Sequence, residues 1–306
     1  MNAPPIPVEL QSIVDLLPAP VIEVRLMARV GQPWFVRYGS QRAVLRWNDP
    51  KRFPHSDLAM ESIAWLHAFL SDLAQCGFRA PAPLPHLRGE SIAKIDGAIW
   101  ELLTFVPGQS IGWADATGLF AAGRALAQFH EASIALPGRA QRPLSLPLSE
   151  CRPGHPAAQS ILVRFKDELA EIDYSASLRV VVHGDATNAN VVDDGSALRF
   201  VDFALAYREA LLFDIGSALW RNGRPSAEAV TYDGTRMEHF VRGYASHRSL
   251  AEPDCRAIVV YLKGRGLQLQ HRLELRRGVD DTVMQRLLAV QRQQAELEKA
   301  IGKAIG

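Results

Sequence analysis

Over the first hundred residues the apolar side chains come in short runs rather than in helical stripes. VIEVRLMARV (21–30), PWFVRYGS (33–40) and RAVLRW (42–47) are β-branched or aromatic runs separated by Gly-Gln-Pro and Gly-Ser-Gln. That pattern predicts strands joined by tight turns. The period changes in HSDLAMESIAWLHAFLSDLAQCG (55–77), where apolar residues recur at three and four. Ser56 or Asp57 stands where a helix needs its cap and Gly77 where it must stop, so a helix is expected there. SIAKI and AIWELLTFV flank Asp96-Gly97, a strong two-residue hairpin signal. This first part reads as antiparallel strands carrying one helix.

Beyond FVPGQS the helical period takes over. DATGLFAAGRALAQFHEAS (115–133) predicts an amphipathic helix capped by Asp115 or Thr117. Residues 136–158 contain five prolines, too many for regular structure, and are expected to form a surface loop. Further helices are expected at about 158–173, 209–222, 235–248, 254–275 and 281–303. The last is amphipathic, which suits packing on its own lobe, with a dimer contact as the rival. The chain is therefore expected to be a monomer or a homodimer.

One stretch of this helical half departs from the pattern. In VVHGDATNANVVDDGSALRFVDF (181–203) two short apolar strands carry acids and amides at their tips. A hairpin turning at Asp194-Gly195 places Asn190, which precedes one strand, near Asp202, which ends the other. A carboxylate and an amide oxygen converging in this way suit a hard cation with oxygen ligands, magnesium above all. Magnesium keeps few protein ligands and completes its shell with water and phosphate oxygens, so Asn190 and Asp202 form a sufficient pair. Asp185, on the loop leading into them, is the acid left over to take a proton from an attacking hydroxyl. The order of acid, asparagine five later and acid before phenylalanine is the one protein kinases use.

Composition removes rival classes. The chain has 306 residues, 48% of them hydrophobic, with 22% charged and a formal net charge of +1. With no basic face, nucleic acid is not an expected partner. No apolar run reaches the length of a membrane span and MNAPPIPVELQ lacks the build of a secretory signal, so no membrane association and a cytoplasmic location are expected. Cys76, Cys151 and Cys255 share no metal or disulfide spacing and read as reduced thiols.

HGDATNAN followed by VDF resembles the catalytic core of the aminoglycoside phosphotransferase and choline kinase family, the small-molecule relatives of protein kinases. The resemblance implies an α+β, two-lobed protein-kinase-like fold. Residues 1–105 would be a nucleotide-binding lobe with its hinge near 101–105, and 106–306 a mostly helical catalytic and substrate-binding lobe carrying the hairpin. It implies transfer of the γ-phosphoryl group of ATP (or GTP) to a hydroxyl of a small molecule, with Asp185 as base and Mg2+ on Asn190 and Asp202. His183 would brace the loop, and Asp214, in LLFDIGSAL, would steady it. In the first lobe Arg46 would grip the nucleotide phosphates with Glu61 as its ion-pair partner. Glu101 and Leu103 would line the adenine through their main chain, and Gly31 would belong to a degenerate phosphate loop.

The sequence departs from the family where Asn188-Ala189 replaces a common Pro-Gly pair, which makes Asn188 a competing ligand, although the five-residue spacing favours Asn190. That substitution and the poor phosphate loop also motivate a different reading, a catalytically silent nucleotide- or metabolite-binding protein on the same fold. FVRGYASHRSLAEPD and GRGLQLQHRLE are faintly similar to bacterial homoserine kinases of this fold. An amino alcohol, a homoserine-like or sugar-like metabolite, or an aminoglycoside are the acceptors considered, and the near-neutral charge favours the first three over the last.

Overall fold

A computed structural model describes residues 10–27, 33–48, 56–95, 97–136, 138–143, 146–277 and 280–305. Gly31, Asp96 of the expected hairpin turn, and the side chains of Ser56 and Asp57 lie outside the described residues. The chain forms two compact units, residues 1–107 with 142–144, and residues 108–141 with 145–306. The proline-rich segment is thus divided: Arg142 belongs to the first unit, where its Nε donates to the Ser62 carbonyl and hydroxyl.

In the first unit a short helix, α1 (Gln11–Val14), precedes β1 (Val21–Leu26), β2 (Pro33–Tyr38) and β3 (Gln41–Asn48). Then follow α2 (Ser56–Gln75), β4 (Ile92–Ile95) and β5 (Ala98–Thr104). The strands form one antiparallel sheet in the order β1-β2-β3-β5-β4. The strand pattern of the sequence has its cause in this sheet. Val36, Tyr38, Ala43, Leu45, Trp100 and Leu102 turn alternate side chains to one core, together with Leu10 and Ile13 of α1. On α2, Leu66, Phe69, Leu70 and Leu73 are buried at helical spacing.

In the second unit β6 (Gln109–Ser110) leads into α3 (Ala116–Ala135), capped by Asp115, whose carboxylate accepts from Gly118 N–H. α4 (Pro156–Glu171), β7 (Arg179–Val182), β8 (Val191–Asp193) and β9 (Leu198–Phe200) follow. After them come β10 (Tyr207–Ala210), α5 (Leu211–Asn222), α6 (Gly234–Ala245), α7 (Glu252–Arg277) and α8 (Asp281–Ile305). β8 and β9 form the expected hairpin, with Val191 opposite Phe200 and Asp194 Oδ1 holding the turn through the amides of Ser196 and Ala197.

Two differences from the sequence reading concern where helices begin. The helix expected from 209 begins at Leu211, because Tyr207–Ala210 pairs antiparallel with β7. The stretch 136–158 is not wholly irregular: Leu148–Glu150 makes a 3₁₀ turn and α4 starts at Pro156, a proline at the first helical positions where its missing N–H costs nothing.

α7 has a hydrophilic sequence yet lies in the core. Ile258, Val259, Val260, Tyr261 and Leu262 are buried, and so are Lys263, Arg265, Gln268 and Gln270. Each of these side chains has a partner: Lys263 Nζ reaches both Glu168 oxygens at 2.7 and 2.6 Å, and Gln270 Nε2 donates to Glu274 Oε1 at 2.8 Å, although the Gln270 Oε1 accepts no hydrogen bond. Pairing is what makes burial of such groups tolerable.

All three cysteines are free thiols, Cys76 exposed and Cys151 and Cys255 buried. Burial pushes the Cys151 thiol up to about 12 and raises that of Cys255 as well. Since the thiolate is the nucleophile, both are expected to be inert near pH 8. Titration of the native protein with a disulfide reagent should therefore give one fast equivalent, from Cys76, with the other two appearing only in denaturant. Two or more fast equivalents would contradict the burial.

Candidate active site

The loop after β7 is held from beneath by one acid. Asp214, in the first turn of α5, has no solvent exposure. Its Oδ2 accepts from His183 N–H at 2.5 Å and its Oδ1 from Gly184 N–H at 2.8 Å. His130 on α3 donates its Nε2–H to the same carboxylate at 3.2 Å, while its Nδ1 accepts from the Tyr244 hydroxyl at 2.8 Å. Gly184 sits at φ +76°, and a Cβ there would lie 2.2 Å from the Leu205 carbonyl oxygen, so only glycine fits the turn.

His183 is wholly buried and links the loop to the hairpin. Its Nε2–H donates to the Val201 carbonyl at 3.1 Å, and its Nδ1 accepts from Asp185 N–H at 3.3 Å. Those two bonds fix a neutral tautomer and tie Asp185 to the residue before Asp202. Val201 N–H donates in turn to the Asn190 carbonyl at 2.9 Å.

Asp185 is partly exposed and held on both oxygens. Asn190 Nδ2 donates to Asp185 Oδ2 and to its carbonyl, each at 3.0 Å. Arg265 on α7 donates from Nη2 to Asp185 Oδ1 at 2.9 Å, with its side chain only 7% exposed. Because the Asn190 nitrogen faces Asp185, its Oδ1 is left as an oxygen donor, the ligand type a hard cation takes. Asp202 is exposed and stands in the left-handed region at φ 59° and ψ 63°, a costly conformation for an aspartate, of the kind that marks functional sites. Asn188, the competing amide, is 1% exposed, and its backbone N–H donates to Asn222 Oδ1. It faces the interior, whereas Asn190 is half-buried beside Asp185. Among the described residues no three His, Cys, Asp or Glu side chains converge as a metal set. The donor set here is an amide and a carboxylate, which fits magnesium completed by water and phosphate oxygens.

The first unit carries a second polar cluster. Glu101 in β5 is 2% exposed; its Oε2 accepts from His67 Nε2–H at 3.0 Å and its Oε1 lies 3.6 Å from Arg46 Nε. Arg46 stands directly opposite Glu101 in the β3–β5 ladder, which is why these two meet. Glu61, the partner expected from the sequence, is instead an exposed residue of α2. Glu101 thus meets His67 and Arg46 through its side chain. Its main chain and that of Leu103 are committed to β3, opposite Arg46 and Val44, while Leu102 and Thr104 bond Ser91, Leu84 and Ala82 on the other edge. Sequence reading missed both Arg265 and this role of Glu101. The glycines flanking Arg265 were the available signal for the first, and nothing in the spacing pointed to the second.

Residues 31–250 match the phosphotransferase enzyme family (APH), and the chain belongs to that family. The homoserine kinase of Sinorhizobium medicae is 27% identical over 220 residues, covering 68% of this chain and 66% of that kinase, so the match spans just under two thirds of the relative's length. Among solved structures, a microcompartment-associated aminopropanol kinase superposes with a TM-score of 0.70 at 17% identity, covering 95% of this chain and 98% of its own. An amicoumacin kinase in complex with AMP-PNP and Ca2+ superposes at 0.64 and 17%, covering 90% and 88%. These likenesses show the fold: α+β and kinase-like, with an antiparallel N-terminal sheet and a helical C-terminal region. No helix among the described residues is long and apolar enough to cross a membrane.

Asp214 holds three donors without solvent, so Asp214→Asn removes the charge and turns one acceptor into a donor facing backbone N–H groups. Loss of about 2–4 kcal/mol is expected. It should be read as a lower urea midpoint at unchanged m. An unaltered midpoint would show that the loop is held by something else.

Proposed function

We propose that this protein is a small-molecule kinase that moves the γ-phosphoryl group of ATP to the hydroxyl of a homoserine-like amino alcohol. The observation that carries the reading is the Asp185 carboxylate, held at a fixed angle by Asn190 and Arg265 and still partly open to solvent. Fixing a base in this way is what phosphoryl transfer asks of a protein, since catalysis there is mostly positioning and charge stabilisation. Family membership supports the reaction class, and the name of the curated relatives supports the acceptor.

In the reaction the acceptor oxygen attacks the γ-phosphorus. The new P–O bond forms as the bond to the bridging oxygen breaks, ADP departs, and the hydroxyl proton passes to Asp185. Asn190 and Asp202 would hold magnesium, which when bound neutralises charge on the phosphate oxygens. Arg46, steadied by Glu101, would bind the nucleotide phosphates, where an always-charged fork suits paired oxygens. The bonds already filled around Glu101 and Leu103 leave the adenine to main chain beyond Thr104.

Asp185→Asn keeps the shape and removes the base, so turnover should fall by about 10²–10⁴-fold with nucleotide binding retained. ADP release from magnesium–ATP and from GTP, measured against L-homoserine, aminopropanol, choline, simple sugars and an aminoglycoside, reads both acceptor and nucleotide. A D185N protein at the parental rate would sink the base assignment. ATP binding that ignores magnesium, with no ADP release for any acceptor, would favour a silent binding protein.

A further inference from the structure

α7 is a polar helix buried in the core, and one of its buried cations reaches the catalytic loop. Arg265 is 5% exposed, and its guanidinium bonds Asp185 Oδ1 from Nη2 and Gln268 Oε1 from Nη1, both at 2.9 Å. Arg265 and Gln268 are three apart, so they share a helix face. Gln268 has no solvent exposure, and its amide Nε2 donates to the Leu146 carbonyl at 2.6 Å and to the Tyr207 hydroxyl at 2.9 Å. Tyr207 stands opposite Val182 in the β10–β7 ladder, the last strand residue before His183. A continuous run of hydrogen bonds therefore leads from β10 through Gln268 and Arg265 to the base, independent of the loop that carries the base.

The helix is shaped to bring that cation in. Gly264 and Gly266 flank Arg265; a Cβ on the first would lie 2.8 Å from the Phe165 ring and one on the second 2.5 Å from Leu287 and 2.6 Å from Trp220. Two glycines inside a helix cost about 1 kcal/mol each in propensity. Here they allow the close approach that seats a guanidinium, itself expensive to desolvate, against its partners.

We infer that Arg265 is a positioning residue for the phosphotransfer reaction: with Gln268 and Tyr207 behind it, it fixes the plane of the Asp185 carboxylate from the side opposite Asn190. This rests on the kinase reading above. Asp185 Oδ2 is shared with Asn190 and Oδ1 with Arg265, so the remaining lone pairs of the carboxylate point in one set of directions, towards the acceptor hydroxyl. Without Arg265 the carboxylate is held on one side only and leaves the attacking geometry for much of the time.

The test compares wild type, R265K, R265Q and D185N by steady-state ADP release from magnesium–ATP, with L-homoserine as acceptor and with water alone. Folding of each variant is checked by circular dichroism and urea unfolding. R265Q should lose about 10–100-fold in kcat, with KM for ATP and for homoserine within about twofold of wild type. R265K keeps the charge but not the fork and should recover part of that loss, which a purely structural arginine would not show as a kcat effect. Should R265Q fail to fold, the R265K enzyme carries the test, and a drop of several-fold in kcat alone is expected of it. Wild-type kcat in either folded variant overturns the assignment. A loss that falls wholly in the KM for homoserine also overturns it, since Arg265 would then bind the acceptor. D185N separates the two levels of inference. A dead D185N beside an unimpaired R265Q removes only the role of Arg265. A fully active D185N, or a wild type that releases no ADP with any acceptor or water, removes the kinase reading and this assignment with it.

Discussion

The carboxylate of Asp214 is the constraint on which the second unit depends. It has no solvent exposure and collects two backbone N–H groups from the turn after β7 and one ring N–H from His130. A buried carboxylate short of partners costs several kcal/mol, so the turn at Gly184, the start of α5 and the side of α3 are locked together or not formed at all. His183 then carries the constraint outward, because the same short segment that is pinned to Asp214 also reaches Val201 and the end of the hairpin. The positions of Asp185, Asn190 and Asp202 follow from that frame.

On this frame the loop that carries Asp185 gains a second support from a helix far along the chain. α7 buries Lys263, Arg265, Gln268 and Gln270, each with a partner, in the middle of a core otherwise lined by Ile258, Val259, Tyr261 and Leu262. Polar groups in such a place have fewer acceptable arrangements than apolar ones, because each wrong rotamer strands a donor or a charge. The result is a core that specifies where the Asp185 carboxylate points as well as where it lies.

The first unit uses the same device on a smaller scale. Glu101 is buried in mid-strand, bonded by His67 and facing Arg46 across the ladder. The register of β3 and β5 decides that pairing: slipping either strand by one residue would turn Arg46 or Glu101 to the other face of the sheet. An acid on a neighbouring helix, such as Glu61, need not face the arginine at all, since the turn of α2 decides where it points.

Much was legible in the chain order. Short β-branched runs and the three-four apolar period specify strands and helices locally, so the hairpin at Asp194-Gly195, the cap at Asp115 and the helices from α3 to α8 could be read before any fold was known. The motif HGDATNAN with VDF is local too: its residues lie within one loop and one hairpin, and backbone connectivity alone brings them near each other. What remained hidden depends on pairing between distant segments. Glu209 and Ala210 read as the start of a helix and end a strand instead, because β7 offers Tyr207–Ala210 a ladder. Glu101 finds Arg46 through sheet register. Arg265, in a helix whose sequence looks solvated, reaches Asp185 across 80 positions. Sequence by itself determined the local elements and which acids and amides the loop carries; only the tertiary structure decided which buried charges face one another, because that choice rests on long-range packing and the need to pair every charge removed from water.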